Sequence, residues 1–312
     1  MSASAQGALP PWARNLDVEE YRTFIALVER YFVERRIPAH VKADEGVVQA
    51  ESGVFHHASV LGLQNVAQSC ARVGIERWPS LIAEHFDCIF AVSDDQNALM
   101  VDVGDFDKVS ERLRARLYPV DLLSQSVETV HRPGPEGTIE VIVLDLPTTV
   151  RTISRSEAKK WDLEAPALFE IGRRNLQRAG SLKRTSVVLR SGVEIHLYSG
   201  DPYYAASHTL ILDAYLPDDL PHGALVGLPR RDVILLHLIR NVGVAEAISP
   251  MLRAIVGMYA DGPGSLSPYL YWFWQGEFIT LPYALDGDAL DFLPPVAFVE
   301  LLERLGESAA LS

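Results

Sequence analysis

The sequence predicts an α+β fold in which antiparallel hairpins are interleaved with helices and the chain forms two subdomains. Three observations carry this expectation. Apolar residues recur at helical spacing through the first third of the chain. Past residue 138, apolar runs flank short turn signals at Ser191 and Gly192, at 229–232, and at Gln275 and Gly276, which read as hairpins. These strands follow one another across turns rather than across helices, so a parallel βαβ series is not expected.

Taken in order, residues 1–15 ("MSASAQGALPPWARN") are small, polar and proline-bearing and read as a flexible tail. Asp17 opens a helix, and Glu20 three residues on completes a capping box. Tyr21, Phe24, Val28, Tyr31 and Phe32 form its apolar stripe, and Pro38 closes it. A modest hairpin turns at Glu45 and Gly46. Leu63, Val66, Ala67, Cys70 and Val73 mark a second helix stopped by Gly74. Pro79 starts a third, with Ile82, Phe86, Ile89 and Phe90 facing inward. "NALMVDVG" (97–104) reads as a strand. Asp105 is expected to cap a helix carrying Phe106, Val109, Leu113 and Leu117 as far as Pro119, with Arg112, Arg114 and Arg116 suiting the negative end of its dipole.

"HRPGPEG" (131–137) holds two prolines and two glycines in seven residues and reads as a linker. It would separate an α-rich N-terminal subdomain, 16–130, from an α+β C-terminal subdomain, 138–312. Downstream, 138–147 is a strand and 166–179 a helix ended by Gly180. Residues 185–200 form a hairpin. Residues 224–239 form another, its first strand ending at Pro229. Ser249 and Pro250 start or restart a helix through Tyr259. Residues 269–283 form a third hairpin, and 295–305 a closing helix.

Composition narrows the function classes. The chain has 28 basic against 41 acidic residues, a net charge of −13, and no basic stripe, so a nucleic-acid partner is not expected. The N-terminus lacks the charged and apolar regions of a signal peptide, and no apolar run is long enough to span a membrane. Cys70 and Cys88 lie in helical patterns without a CxxC pair and read as buried reduced thiols, so a cytoplasmic protein without a membrane partner is expected. There is no phosphate loop, dinucleotide fingerprint, HExxH, nucleophile elbow or EF-hand loop, so neither a cofactor nor a metal is expected.

Four stretches hold the candidate functional residues. In "VEIHLYSGDPYYAASH" (193–208), strand alternation puts Glu194, His196 and Tyr198 on one face, with Asp201, Tyr203, Tyr204 and His208 following across a turn. A carboxylate next to an imidazole suits acid/base chemistry, and equally suits a solvated sheet face. In "GLPRRDVILLHLI" (227–239), Arg230, Arg231 and Asp232 read as a turn with solvated arginines. The arginines could also fork onto a carboxylate or phosphate. His237 reads as a core histidine. His56 and His57 are adjacent, so their side chains diverge and do not suit one metal ion. In "YLYWFW" (269–274), Tyr269, Tyr271 and Phe273 alternate with Leu270, Trp272 and Trp274. One aromatic row belongs in the core, and the second must be covered by a helix or a partner.

Three segments, "ALFEIGRRNL" (167–176), "SGDPYYAASHTLIL" (199–212) and "ALVGLPRRDVILL" (224–236), resemble the YtpQ-like family of uncharacterised bacterial proteins over roughly 139–282. The resemblance implies an Asn-containing helix, an Asp–aromatic–Ala stretch, and a Pro-x-x-Asp segment leading into an apolar strand. Asn175, Asp201, Tyr203, Ala205, Pro229 and Asp232 stand at those positions, whereas His208 and the Arg230–Arg231 pair depart from the pattern. It implies a fold more than an activity. The expectation is a cytoplasmic binding protein, an adaptor, chaperone-like or immunity-type factor, which contacts another protein or itself through Tyr271, Trp272, Trp274, Arg230 and Arg231. The alternatives are an acid/base or hydrolytic enzyme with Glu194, His196, Asp201, Tyr203 and Arg231 around one cleft, and a small-molecule sensor using the same cleft.

Overall fold

The computed structural model describes residues 9–50, 60–98, 104–123, 129–146, 150–286 and 289–310. Two compact units emerge, residues 1–101 with 261–263, and residues 102–260 with 264–312. The fold is α+β, with every paired strand antiparallel.

The first unit contains α1 (Val18–Glu34), a β1 (Ala39–Lys42), β2 (Val47–Ala50), β3 (Val60–Gly62) meander, α2 (Gln64–Cys70) and α3 (Trp78–Ala98). The capping box forms as expected: Asp17 accepts the Glu20 amide at 2.8 Å, and Glu20 accepts the Asp17 amide at 2.9 Å. Phe24, Val28, Tyr31 and Phe32 pack with Trp78, Ile82, Phe86 and the buried Cys70. Burial pushes the Cys70 thiol up to about 12, so it stays protonated and inert. The tail expected over 1–15 does not extend through 11–15, and residues 1–8 lie outside the described residues. Pro11–Ala13 form a 3-10 turn, the Trp12 indole donates to the Ala43 carbonyl at 2.9 Å, and Ala13 and Leu16 are buried. A tryptophan gains too much from burial to be left in a loose segment. Gly46 makes this docking possible, because its φ is +66° and a Cβ there would lie 2.6 Å from the Trp12 ring. The strand expected over 97–104 is corrected at its start, since α3 runs to Ala98; its residues 99–103 lie outside the described residues. His56, His57 and the Cys88 side chain also lie outside them.

The second unit runs α4 (Phe106–Val109), β4 (Leu113–Pro119), α5 (Val120–Leu123), β5 (His131–Pro133), β6 (Thr138–Asp145), β7 (Val150–Thr152), α6 (Arg155–Ala158) and α7 (Ala165–Arg178). Then come β8 (Lys183–Val188), β9 (Glu194–Ser199), a kinked 3-10 segment (Ala205–Tyr215), β10 (Ala224–Arg230), β11 (Val233–Leu238), α8 (Val244–Asp261), β12 (Leu270–Trp274), β13 (Glu277–Leu281), β14 (Tyr283–Asp286), β15 (Ala289–Phe292) and α9 (Val296–Ala310). The helix expected over 105–119 is one turn long and gives way to β4. Leu113 and Leu117 fit helical spacing, but Leu113, Ala115 and Leu117 also fit period two, and pairing with β6 decides between them. The expected linker 131–137 is a hairpin inside the second unit: β5 pairs with β6, and the Pro-Gly residues make the turn. The strand expected to end at Pro229 continues to Arg230, and α8 begins at Val244 with Pro250 inside it.

The main sheet has the order β13-β12-β10-β11-β9-β8 and is covered on both faces. On one face Ile195, Leu225, Leu235, Leu270 and Trp272 pack against α8 and against Phe298, Leu301 and Leu305 of α9. On the other, Tyr198, Val226, Leu236, Tyr271 and Phe273 meet Leu117 of β4 and Ala206 and Leu212 of the 3-10 segment. This explains the continuous apolar runs of β11 and β12, because strands buried on both sides lose the polar row. A smaller sheet, β4-β6-β5 with β7 beside β6, carries α7. Gly172 lets this helix close onto the sheet: a Cβ there would lie 2.7 Å from the Ala115 nitrogen. The buried Asn175 amide then pins the helix, donating to the carbonyls of Ser110 at 2.7 Å and Leu113 at 3.0 Å.

Candidate functional site

Arg230 and Arg231 are adjacent in sequence but meet different surroundings. The β10–β11 register pairs Arg230 with Val233, leaving Arg231 and Asp232 as a two-residue tip. Arg230 is held by Asp232 in a two-point contact, Nε to Oδ1 at 3.0 Å and Nη2 to Oδ2 at 2.9 Å. It is therefore paired rather than freely solvated as expected. Arg231 is fixed through its backbone, which donates to the Gly264 carbonyl and accepts from the Ala206 amide, both at 2.9 Å.

The Arg231 guanidinium enters a cluster of aromatic rings. Its Cζ lies 5.6 Å from the Tyr203 ring centroid. The Arg116 guanidinium approaches the same ring at 5.9 Å, the Tyr204 ring at 5.6 Å and the Tyr118 ring at 4.7 Å. Strand alternation on β4 explains this placement. Arg114, Arg116 and Tyr118 share one face, with Leu113, Ala115 and Leu117 on the other. Asp201 shapes the facing turn by accepting the amides of Tyr203 and Tyr204, each at 2.8 Å. The Tyr204 hydroxyl donates to Asp145 at 2.9 Å, and burial followed by that carboxylate pushes its pKa up.

Charge in this cluster is unbalanced. Arg116 is only 7 % exposed; its Nη1 donates to the Tyr118 hydroxyl at 3.1 Å, and its Nε has no hydrogen-bond partner. Among the described residues no carboxylate lies within ion-pair distance of Arg116 or Arg231, and the nearby Asp232 is committed to Arg230. Burial, and next the like charge of Arg116, push the Arg231 guanidinium below its ordinary value, against smaller opposing effects of Tyr203 and Asp232. A buried guanidinium and a partly exposed one held near the same ring without an ion-pair partner repel each other, which favours an anion beside them.

Beside this cluster, and sharing Tyr203 and Tyr204 as a wall, lies a cavity of about 560 Å³. Arg114, Lys183, His208 and Leu176 line it. A second cavity of about 460 Å³ includes Glu140 and Arg173. The buried Glu140 there is already paired, accepting from Arg132 at 2.6 Å and from Arg173 at 2.8 Å, and the other charged lining residues, Glu136, Asp213 and Glu277, are acidic.

The five residues expected around one cleft divide into two groups. Asp201, Tyr203 and Arg231 belong to the arginine–tyrosine cluster. Glu194 and His196 stand apart on β9: Leu236 is the β11 partner of His196, and Arg231 lies five residues further along, roughly 17 Å. Ser186 of β8, opposite His196, was not singled out from the sequence. Its Oγ lies 2.9 Å from His196 Nδ1, while Glu194 Oε1 lies 3.6 Å from the same nitrogen. A nucleophile–base–carboxylate relay needs its two ends on opposite ring nitrogens, so this trio does not form one.

Of the aromatic residues expected at an interface, Tyr271 and Trp272 are internal and Trp274 is half-buried. Tyr271 and Trp272 are buried on opposite faces of β12, and the Trp272 ring stacks on Trp274 at 5.0 Å and meets Phe298 at 5.2 Å. The Tyr271 hydroxyl donates to the Glu136 carbonyl, and the indoles donate to the carbonyls of His222 and Pro221. His237 is buried as expected, with Nδ1 2.8 Å from the Glu194 carbonyl. Among the described residues no group of three or more His, Cys, Asp or Glu is arranged to hold a metal, and no helix is long and apolar enough to cross a membrane. Sequence reasoning named Tyr204 beside Tyr203 but placed Arg116 at a helix end and did not single out Tyr118. The period-two pattern of "LRARLYP" was the signal that could have found Arg116 and Tyr118. Compared with known proteins, the chain matches no family model, no curated protein and no solved structure.

Proposed function

We propose that this chain acts by binding an anionic ligand at Arg116 and Arg231. One observation carries this reading: two guanidiniums, one of them buried, approach one tyrosine ring with no carboxylate within ion-pair distance among the described residues. An anion there offsets the repulsion and satisfies the buried Arg116 Nε at once, and guanidiniums are well suited to such oxyanions. The resemblance to the YtpQ-like family fits, because its Asp201, Tyr203, Ala205 and Asp232 positions surround the site. On this reading the chain is a small-molecule sensor, and the cytoplasm is the compartment we propose for it. The test is a titration with acetate, sulfate and phosphate at matched ionic strength, followed by the Arg Nε–Hε NMR signals and by thermal melting. A saturable response that Arg231→Gln abolishes is expected. No response to any anion would overturn the proposal.

A protein-binding reading has a separate basis. Every residue of the edge strand β8 is exposed, including Val187 at 60 % and Val188 at 65 %. An open edge of this kind accepts a further strand. This moves the expected contact surface from 269–274 to 183–188. Concentration-dependent sedimentation or pull-down, lost in Val187→Pro, is the corresponding test.

A further inference from the structure

Resting on the anion-binding reading, we infer that the ligand is a phosphomonoester of a small polar molecule, with its phosphate on Arg116 and Arg231 and its body in the adjoining cavity. Charge matching selects the headgroup. Among the described residues neither the Arg116 nor the Arg231 guanidinium has an ion-pair partner, and Arg116 Nε has no hydrogen-bond partner, while a phosphomonoester carries close to two negative charges at neutral pH. A carboxylate brings one and leaves half of the repulsion in place. Both guanidiniums also offer several donors in a fixed plane, which suits an oxyanion with three free oxygens.

The body is placed by the shared wall. Tyr203 and Tyr204 surround Arg116 and also line the cavity of about 560 Å³, a volume within the range of small-molecule sites. Arg114 enters that cavity from the same face of β4 as Arg116, two residues away. Leu176, Leu182 and Pro202 offer apolar contact, and Lys183 and His208 offer polar contact. Asp145 and Asp201, which also line it, are committed to the Tyr204 hydroxyl and to the turn amides. Tyr203 is 43 % exposed, so the ring shared by the arginines and the cavity is reached from solvent.

The experiment uses the full chain and five probes at matched ionic strength: acetate, sulfate, inorganic phosphate, glucose 6-phosphate and a phosphoserine peptide, each measured by calorimetry and by thermal melting. Sulfate and phosphate are expected to bind roughly tenfold or more tightly than acetate, because the second charge is felt at short range. Glucose 6-phosphate is expected to bind more tightly than phosphate, and Lys183→Ala to remove only that increment. Arg231→Gln is expected to abolish all binding while leaving the melting temperature in anion-free buffer unchanged or raised, since it removes a like charge. A purely structural arginine would lower it. Should Arg231→Gln fail to fold, Arg231→Lys replaces it, with weakened binding expected from the lost planar fork. Acetate binding as tightly as phosphate would overturn the phosphomonoester inference and leave anion binding standing. Glucose 6-phosphate no tighter than phosphate, or a phosphoserine peptide tighter than both, would overturn the placement of a small body in the cavity. No Arg231-dependent binding by any probe would overturn the underlying reading as well.

Discussion

Burial and a neighbouring carboxylate pull the His196 imidazole in opposite directions, and burial prevails, so its pKa lies below the ordinary histidine value. An NMR titration is expected to place its midpoint under about 6.5, and Glu194→Gln to lower it further by removing the one charge that favours the imidazolium. A midpoint above that value would show that the carboxylate dominates and would restore the acid/base pair. At the hairpin tip, Arg230 and Asp232 form a partly exposed pair, for which a double-mutant cycle is expected to give no more than about 1 kcal/mol. The Glu140 carboxylate is a stronger case, being only 1 % exposed between Arg132 and Arg173. Its replacement by Ala is expected to cost about 3 kcal/mol in a denaturant melt. This is the low end for a broken buried pair, because both arginines can turn to water.

At the scale of elements, α7 and the β12–β13 hairpin show how closely the second unit is packed. Gly172→Ala has two opposed effects. Alanine favours the helix by about 1 kcal/mol, but its Cβ would meet the β4 backbone at 2.7 Å, and backbone cannot rotate away. Overpacking of that kind costs roughly 1–3 kcal/mol, so a net loss of stability is expected, read as a lower denaturation midpoint. On β12, Trp272 is enclosed by α9 whereas Trp274 is half-buried. Trp272→Ala is expected to cost roughly 3–5 kcal/mol and Trp274→Ala clearly less, with sedimentation unchanged for both. A change in association caused by Trp272→Ala would return this strand to the list of contact surfaces.

For the molecule as a whole, the three buried histidines of the second unit set a direction for pH dependence. His196, His208 and His237 all have pKa values lowered first of all by burial. In the unfolded chain each returns to about 6.5. Below that pH the unfolded chain binds protons that the folded chain refuses, so stability rises with pH through this window. The contribution is fully present above about pH 6.5 and is lost as the pH falls toward the folded values. The urea midpoint is expected to be lower at pH 5 than at pH 7.5, with a shallower dependence in His237→Gln. An equal midpoint at the two pH values would show that these imidazoles titrate normally in the fold.

Local chemistry by itself determined much of the architecture. The Asp17–Glu20 box, the Gly180 stop, and the turns at Ser191 and Gln275 act within a few residues, so their effects are legible in the chain, whereas the second helix ends at Cys70, before the expected Gly74. Three matters depended on what packs against what. Residues 113–119 satisfy both helical and strand periods, and only pairing with β6 makes them a strand. The second aromatic row of β12 had two possible covers, and Leu117, Ala206 and Leu212 supply the one that exists. Of two identical neighbours, Arg230 finds Asp232 and Arg231 finds Tyr203 and Arg116, because the tip turns their side chains to different surroundings. A charge cluster assembled from β4, the 201–204 turn and the β10–β11 tip has no sequence signature, since its members meet only after two sheets have packed together.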